Sequence, residues 1–190
     1  MSMNLPNLLT WLRIFAIPLF VGIFYLPPSW LSPLGQNLVA TIIFSGAAIT
    51  DWLDGYLART LNQTSAFGAF LDPVADKLMV AAALIVLVHL ERLDAPIALI
   101  IIGREITVSA LREWMAQIGK AKSVAVSFLG KIKTASQMMA ILLLLYHDPI
   151  EDYFNPQIVG TWLIYLAAIL TLWSMIYYLK AAIPQALQNP

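Results

Sequence analysis

Apolar residues run along this chain in six long blocks, and polar residues collect between them. The blocks cover about residues 8–26, 34–59, 73–90, 95–114, 124–146 and 158–179, each close to the roughly 20 residues that a membrane-crossing helix needs. Pro6 suits a helix start, where its missing donor costs nothing. Pro27-Pro28 stops the first block, because a proline removes a donor and clashes with the preceding turn. The apolar–polar alternation that marks strands of a membrane barrel is absent. The pattern predicts an all-α, polytopic membrane protein with six transmembrane helices and short loops, forming one domain over residues 1–190. Arg13 lies inside the first apolar block with no charged leader before it, so the amino terminus does not read as a secretory signal.

Composition sharpens that picture. Of 190 residues, 60% are hydrophobic and 12% charged, against about 25% charged in ordinary globular domains. This excludes disorder and fibrous repeats and argues against a soluble enzyme. Eleven basic and eleven acidic residues cancel, so no nucleic-acid partner is expected. With no cysteine, disulfides, thiolate metal sites and cysteine nucleophiles are excluded. Basic residues set the orientation. With six spans both termini share one side. The three loops of the other side hold Arg92 alone, and the remaining ten basic residues fall at or near the termini's side. The termini and the site are therefore expected to face the cytoplasm, in a bacterial-type inner membrane.

The acidic residues of the second and third blocks carry the chemistry. Asp51 and Asp54 are three apart and share a helix face, with Arg59 over the same stripe. Asp72 and Asp76 are four apart and share a face of the next helix, on a line that Gly68 continues upstream. Two adjacent helices can thus point two carboxylates each into one cleft. Four such groups repel one another and resist burial unless a cation neutralises them. Oxygen ligands without His or Cys suit hard divalent ions, Mg²⁺ or Mn²⁺. Four carboxylates suffice for two such ions bridging a diphosphate. Gly55 and Gly68 let a ligand approach the backbone, and the Arg59 fork can hold phosphate. Plainer readings exist. Asp72-Pro73 is also a good helix start, and Asp51 or Asp54 can simply pair with Arg59 or Lys77.

The spacing D-x2-D-G-x2-A-R-x8-G-x3-D-x3-D is matched in full by Asp51, Asp54, Gly55, Ala58, Arg59, Gly68, Asp72 and Asp76. It resembles the signature of the CDP-alcohol phosphotransferase family. The resemblance implies that family's six-helix membrane fold, with two divalent cations on Asp51, Asp54, Asp72 and Asp76 at the cytoplasmic side. It implies transfer of a substituted phosphoryl group from a CDP-linked donor to an alcohol, with CMP released and Asp76 as general base. Asp51, Gly55, Ala58, Arg59 and Gly68 would then hold the CDP moiety. A homodimer is the family expectation.

Further stretches are similar to the bacterial branch of that family whose donor is CDP-diacylglycerol and whose acceptor is glycerol 3-phosphate. They are Pro6-Asn7-Leu8-Leu9-Thr10 with Arg13, Gly103-Arg104-Glu105, Ser109 to Trp114, Ser123 to Val126, and Gly130-Lys131-Ile132-Lys133-Thr134. Asn7 and Thr10 are possible site residues on this ground. Arg104 and Arg112, eight apart on one helix, can face one cleft. With Lys131 and Lys133 they read as an anion pocket for the acceptor's phosphate. Lys131 and Lys133 point about 160° apart on an ideal helix, so either the stretch is irregular or one of them reaches the cleft. Glu105 and Arg112, seven apart, are expected to pair. The alternatives are snorkelling anchors for these lysines, another acceptor alcohol, as in cardiolipin, phosphatidylserine or phosphatidylinositol-type synthesis, or a cation-coupled transporter.

Overall fold

The computed structural model describes residues 5–60, 66–119, 128–149 and 154–188. These build six helices in chain order: α1 (Leu5–Ile23), α2 (Pro33–Thr60), α3 (Ala66–His89), α4 (Ala95–Gln117), α5 (Phe128–Tyr146) and α6 (Pro156–Gln188). Each coincides with one of the six apolar blocks, so the long-period hydrophobic pattern is sound at the level of elements. Two of them, α2 over Pro33–Asp51 and α6 over Pro156–Lys180, are long and apolar enough to cross a membrane by length and composition. The others are shorter in their apolar part or interrupted by charge, as α3 is by Asp72, Asp76 and Lys77.

Two boundaries depart from the sequence reading for identifiable reasons. Helix α1 ends at Ile23, before the two prolines. The next three amides turn back to carbonyls three residues earlier, Phe24 to Val21, Tyr25 to Gly22 and Leu26 to Ile23. A residue before proline is pushed out of the helical region, so the winding is lost upstream of Pro27. Asp72-Pro73 does not start α3. The helix begins at Ala66 and carries Pro73 inside it. Its Asp72 is engaged across the bundle with Thr10 of α1, and not with the amides a cap would satisfy.

Helices α5 and α6 pack along each other most extensively, α1 lies against α2 and α3, and α4 leans on α6. The main core gathers Phe20, Phe44, Leu84, Leu87, Ile101, Ile141, Leu144, Leu145 and Ile164. Gly160 makes the α5–α6 approach possible. A Cβ there would stand 2.9 Å from Leu144 Cγ, 3.1 Å from Leu143 Cβ and 3.2 Å from the Ala140 carbonyl. Gly160→Ala is therefore expected to destabilise the chain by about 1–3 kcal/mol, as overpacking does. A lowered thermal unfolding midpoint checks this; an unchanged one refutes the tight contact.

The end of the bundle holding the α3–α4 and α5–α6 loops is tied by Arg92. Its guanidinium donates to the Leu144 and Leu145 carbonyls at the end of α5, at 3.2 and 3.0 Å, and to Asn37 Oδ1 at 2.8 Å. Asn37 Nδ2 in turn donates to Asp148 at 2.8 Å. Arg92 thus caps a helix C-terminus, where carbonyls lack partners and a cation is favoured. Asp148, in the loop beyond α5, is part of this tie, while Glu151 and Asp152 lie outside the described residues. Burial, reinforced by Arg92, pushes the His147 imidazole below its ordinary value against the pull of Asp148. This end therefore gains no further cation at neutral pH.

Beside this apolar core several polar groups are buried, and the exposed surface is more apolar than a water-soluble fold presents. Thr10, Arg13, Asn37, Arg104, Lys133, Gln137, Thr171 and Ser174 are buried, while Phe15, Leu19, Ile42, Ile85, Leu99, Trp162, Ile169 and Trp173 are exposed.

Candidate functional site

A cavity of about 350 Å³ opens among α2, α3, α4 and α5, lined by Asp51, Asp76, Lys77, Glu105, Thr134 and Gln137 together with apolar residues. Its volume suits a small polar ligand. Asp51 projects from the polar half of α2, and Asp76 from the third turn of α3. Each helix places its carboxylate by the same period that the sequence pattern displays.

Helix α1 completes the carboxylate wall. Arg13 Nη1 donates to Asp51 Oδ1 at 2.8 Å, from a buried position to a half-exposed one. Thr10 Oγ1 donates to Asp72 Oδ1. Asp51 therefore does pair with a cation, but with Arg13 and not with Lys77. Lys77 Nζ donates to Ser109 Oγ at 2.6 Å, linking α3 to α4. Asp76 forms no hydrogen bond or ion pair among the described residues, which leaves its oxygens available to a ligand. Gly68 is buried, as a close-approach position requires. Asp54, Gly55, Ala58 and Arg59 lie on α2 and Asn7 on α1, but their side chains are outside the described residues, as is that of Lys131.

The basic cluster is built between α4, α5 and α6. Lys133 is 2% exposed, which overturns the snorkelling alternative for this residue, since a snorkelling lysine keeps its head in water. Its ammonium donates to Glu105 Oε1, and Arg104 Nη1 reaches the same oxygen at 3.3 Å. The expected Glu105–Arg112 pair is thus corrected: Glu105 turns to Lys133 of α5 and to its neighbour Arg104. Arg112 instead donates through Nη2 to the Tyr178 hydroxyl at 2.7 Å. Arg104 Nη2 donates to Ser174 Oγ at 2.9 Å.

Both guanidiniums lie over the Tyr178 ring, with Cζ 5.7 Å from the centroid for Arg104 and 5.1 Å for Arg112. The two arginines therefore do converge, as their spacing suggested. Among these described side chains Lys133 and Arg104 share the Glu105 carboxylate while Arg112 bonds Tyr178, so three cations stand against one carboxylate in the cluster. Such a buried surplus favours a dianionic ligand strongly, because the surroundings screen charge poorly. Arg104 Nε and Arg112 Nε are buried and unpartnered, adding donors without acceptors.

Ser174 and Tyr178 escaped the sequence reading, as did Gln137 and the Arg13–Asp51 bond. Polar groups inside the apolar blocks were the available signal: Ser174 and Tyr178 are four apart and share a face of α6.

No group of three or more His, Asp or Glu side chains able to hold a metal ion is formed among the described residues, whose described side chains do not include that of Asp54. The donor chemistry at the wall, carboxylate and hydroxyl oxygen alone, is nonetheless of the type that hard divalent ions select.

A family model described as CDP-alcohol phosphatidyltransferase matches residues 3–173. The chain is also similar to proteins named CDP-diacylglycerol–glycerol-3-phosphate 3-phosphatidyltransferase. The one from Shigella flexneri is 51% identical over 185 residues, 96% of each chain. Those from Salmonella typhimurium and Escherichia coli are 50% identical over the same share of both chains. With a family model matching residues 3–173 and relatives about half identical over 96% of the chain, this protein belongs to the CDP-alcohol phosphatidyltransferase family of enzymes.

Proposed function

We propose that this enzyme transfers the phosphatidyl group of CDP-diacylglycerol to glycerol 3-phosphate, giving phosphatidylglycerophosphate and CMP. The observation that carries the reading is the adjacency of two chemistries at one cavity. Asp51 and Asp76 line it together with Glu105, and Glu105 bonds Lys133 and Arg104, which shares the Tyr178 ring with Arg112. A donor with a diphosphate needs the first, and an acceptor carrying its own phosphate needs the second. Serine or inositol would leave the cationic surplus uncompensated. The names of the half-identical relatives support the same acceptor.

In this reading the acceptor's phosphate lies against Arg104, Arg112 and Lys133, with Lys131 as a further candidate. Asp76 takes the proton of the C1 hydroxyl. That oxygen attacks the lipid-side phosphorus, the bond to the CMP oxygen breaks, and CMP leaves. Positioning and preorganised charge supply most of the acceleration. Asp51, Asp54, Asp72 and Asp76 would hold two divalent cations, Mg²⁺ or Mn²⁺, which when bound offset the charge of the diphosphate. Gly55, Ala58, Arg59 and Gly68 would flank the cytidine, and Asn7 and Thr10 would support the wall from α1. The diacylglycerol chains require a bilayer alongside, which fits six membrane-spanning helices with exposed apolar faces and buried polar ones. The termini and the cavity then face the cytoplasm.

The test is CMP release from CDP-diacylglycerol by the purified protein in detergent, with and without glycerol 3-phosphate, and with Mg²⁺, Mn²⁺ or a chelator. Strict dependence on glycerol 3-phosphate and on the metal is expected. Turnover of serine or inositol phosphate in its place overturns the acceptor.

Tyr178 gives a second handle. Tyr178→Phe keeps the ring under both guanidiniums but removes the hydroxyl bond to Arg112. An increase of about 3–10-fold in KM for glycerol 3-phosphate is expected, since such a bond contributes roughly 1 kcal/mol. The KM for CDP-diacylglycerol should stay within error; equal effects on both would detach Tyr178 from the acceptor.

A further inference from the structure

Gln137 stands near the middle of α5, 3% exposed, and its Oε1 has no hydrogen-bond donor among the described residues. A buried amide oxygen without a partner costs stability, and an apolar side chain of similar size would fill the space without that cost. Packing alone therefore does not explain a glutamine here. The residue lies on the wall of the cavity that holds Asp51, Asp76 and Glu105. Thr134, its neighbour on that wall, already has its hydroxyl committed to the Gly130 carbonyl at 3.0 Å. Gln137 thus supplies a neutral acceptor with nothing to accept.

Its place along the helix suggests what it accepts. Lys133 and Gln137 are four apart on one face of α5, about 6 Å along the axis. Lys133 belongs to the cationic cluster, and Gln137 lies one turn away on the cavity wall shared with Asp76. Glycerol 3-phosphate carries its oxygens in the same order: phosphate on C3, a hydroxyl on C2, the reacting hydroxyl on C1. With the phosphate at the cations and the C1 hydroxyl at Asp76, the C2 hydroxyl falls between them. The last torsion of a glutamine side chain is soft, so the amide oxygen can turn to meet it.

We propose that Gln137 is a specificity-determining residue whose Oε1 accepts the hydrogen bond of the acceptor's C2 hydroxyl. This rests on glycerol 3-phosphate being the acceptor. The ribose hydroxyls of the donor are the other source of such a proton, but the cytidine end is assigned to the α2 signature and not to α5.

The test compares glycerol 3-phosphate with 1,3-propanediol monophosphate, which lacks only the C2 hydroxyl. CMP release is measured with the full-length wild type and with Gln137→Met, Gln137→Leu and Gln137→Glu. Wild type is expected to favour glycerol 3-phosphate by about 10–100-fold in kcat/KM, because the deoxy acceptor leaves the amide unpaired. In Gln137→Met and Gln137→Leu that preference collapses to within about 3-fold. In Gln137→Glu, which keeps an acceptor oxygen, the preference survives at a higher KM for both acceptors. A wild type indifferent to the C2 hydroxyl overturns the inference without any variant having to fold, and leaves the acceptor assignment standing. A preference that persists in Gln137→Met overturns it too. So does a rise in KM for CDP-diacylglycerol with the acceptor ratio unmoved, which would give the amide to the nucleotide. Only a wild type that does not need glycerol 3-phosphate strikes the underlying reading instead.

Discussion

Asp76→Asn is expected to cut CMP release by about 10²–10⁴-fold, the range a positioned general base supplies, while the protein keeps its fold. Asparagine has the shape of aspartate and removes only the charge and the basicity. Asp76 forms no hydrogen bond or ion pair among the described residues, so its replacement strands no partner. Asp51→Asn is the informative contrast. There the buried Arg13 guanidinium loses the carboxylate it holds at 2.8 Å, and breaking one arm of a buried ion pair costs stability. Asp51→Asn should therefore lower the thermal midpoint as well as activity, whereas Asp76→Asn lowers activity alone. Initial rates of CMP release and melting curves on the two purified variants decide the matter. An Asp76→Asn enzyme within a few-fold of wild type would remove Asp76 from the role of base.

Much of this was legible in the chain because the relevant signals are short-range. Helix positions follow from apolar length, and the signature aspartates declare themselves by spacing, since three or four residues always return to the same helix face. What stayed hidden depends on which helices become neighbours. Glu105 and Arg112 nearly eclipse on α4, yet Glu105 bonds Lys133 of α5, because the bundle brings that ammonium within hydrogen-bond reach while Arg112 is taken by Tyr178. Arg13 lies 38 residues from Asp51, and no local period connects them. Tyr178 looked like one more apolar-block aromatic until α6 lay against α4. The Asp72-Pro73 pair shows the reverse failure, a strong local signal for a helix start overridden by a tertiary bond to Thr10. The interior polar residues Gln137 and Ser174 were visible as exceptions to the apolar pattern, but their partners were not.

Lys133→Met should raise the KM for glycerol 3-phosphate by about 10–150-fold, the equivalent of one charge-assisted hydrogen bond of roughly 1.5–3 kcal/mol. The methionine matches the lysine stem in length and apolar character, so the 2% exposed site stays filled. Glu105 keeps Arg104 as a neighbour and is itself a quarter exposed, so it is not stranded as a fully buried carboxylate would be. The stability loss should therefore fall short of the 3–5 kcal/mol typical of a broken, fully enclosed pair. The KM for CDP-diacylglycerol should hardly move, because the donor's diphosphate belongs to the aspartate wall. Binding can be followed apart from catalysis. Inorganic phosphate should raise the thermal midpoint of the wild type, through preferential binding to the folded state, and should do so much less for Lys133→Met. If both KM values rose together, or if phosphate protected the two proteins equally, Lys133 would be a structural counterion to Glu105 and the anion pocket would have to be drawn from Arg104 and Arg112 alone.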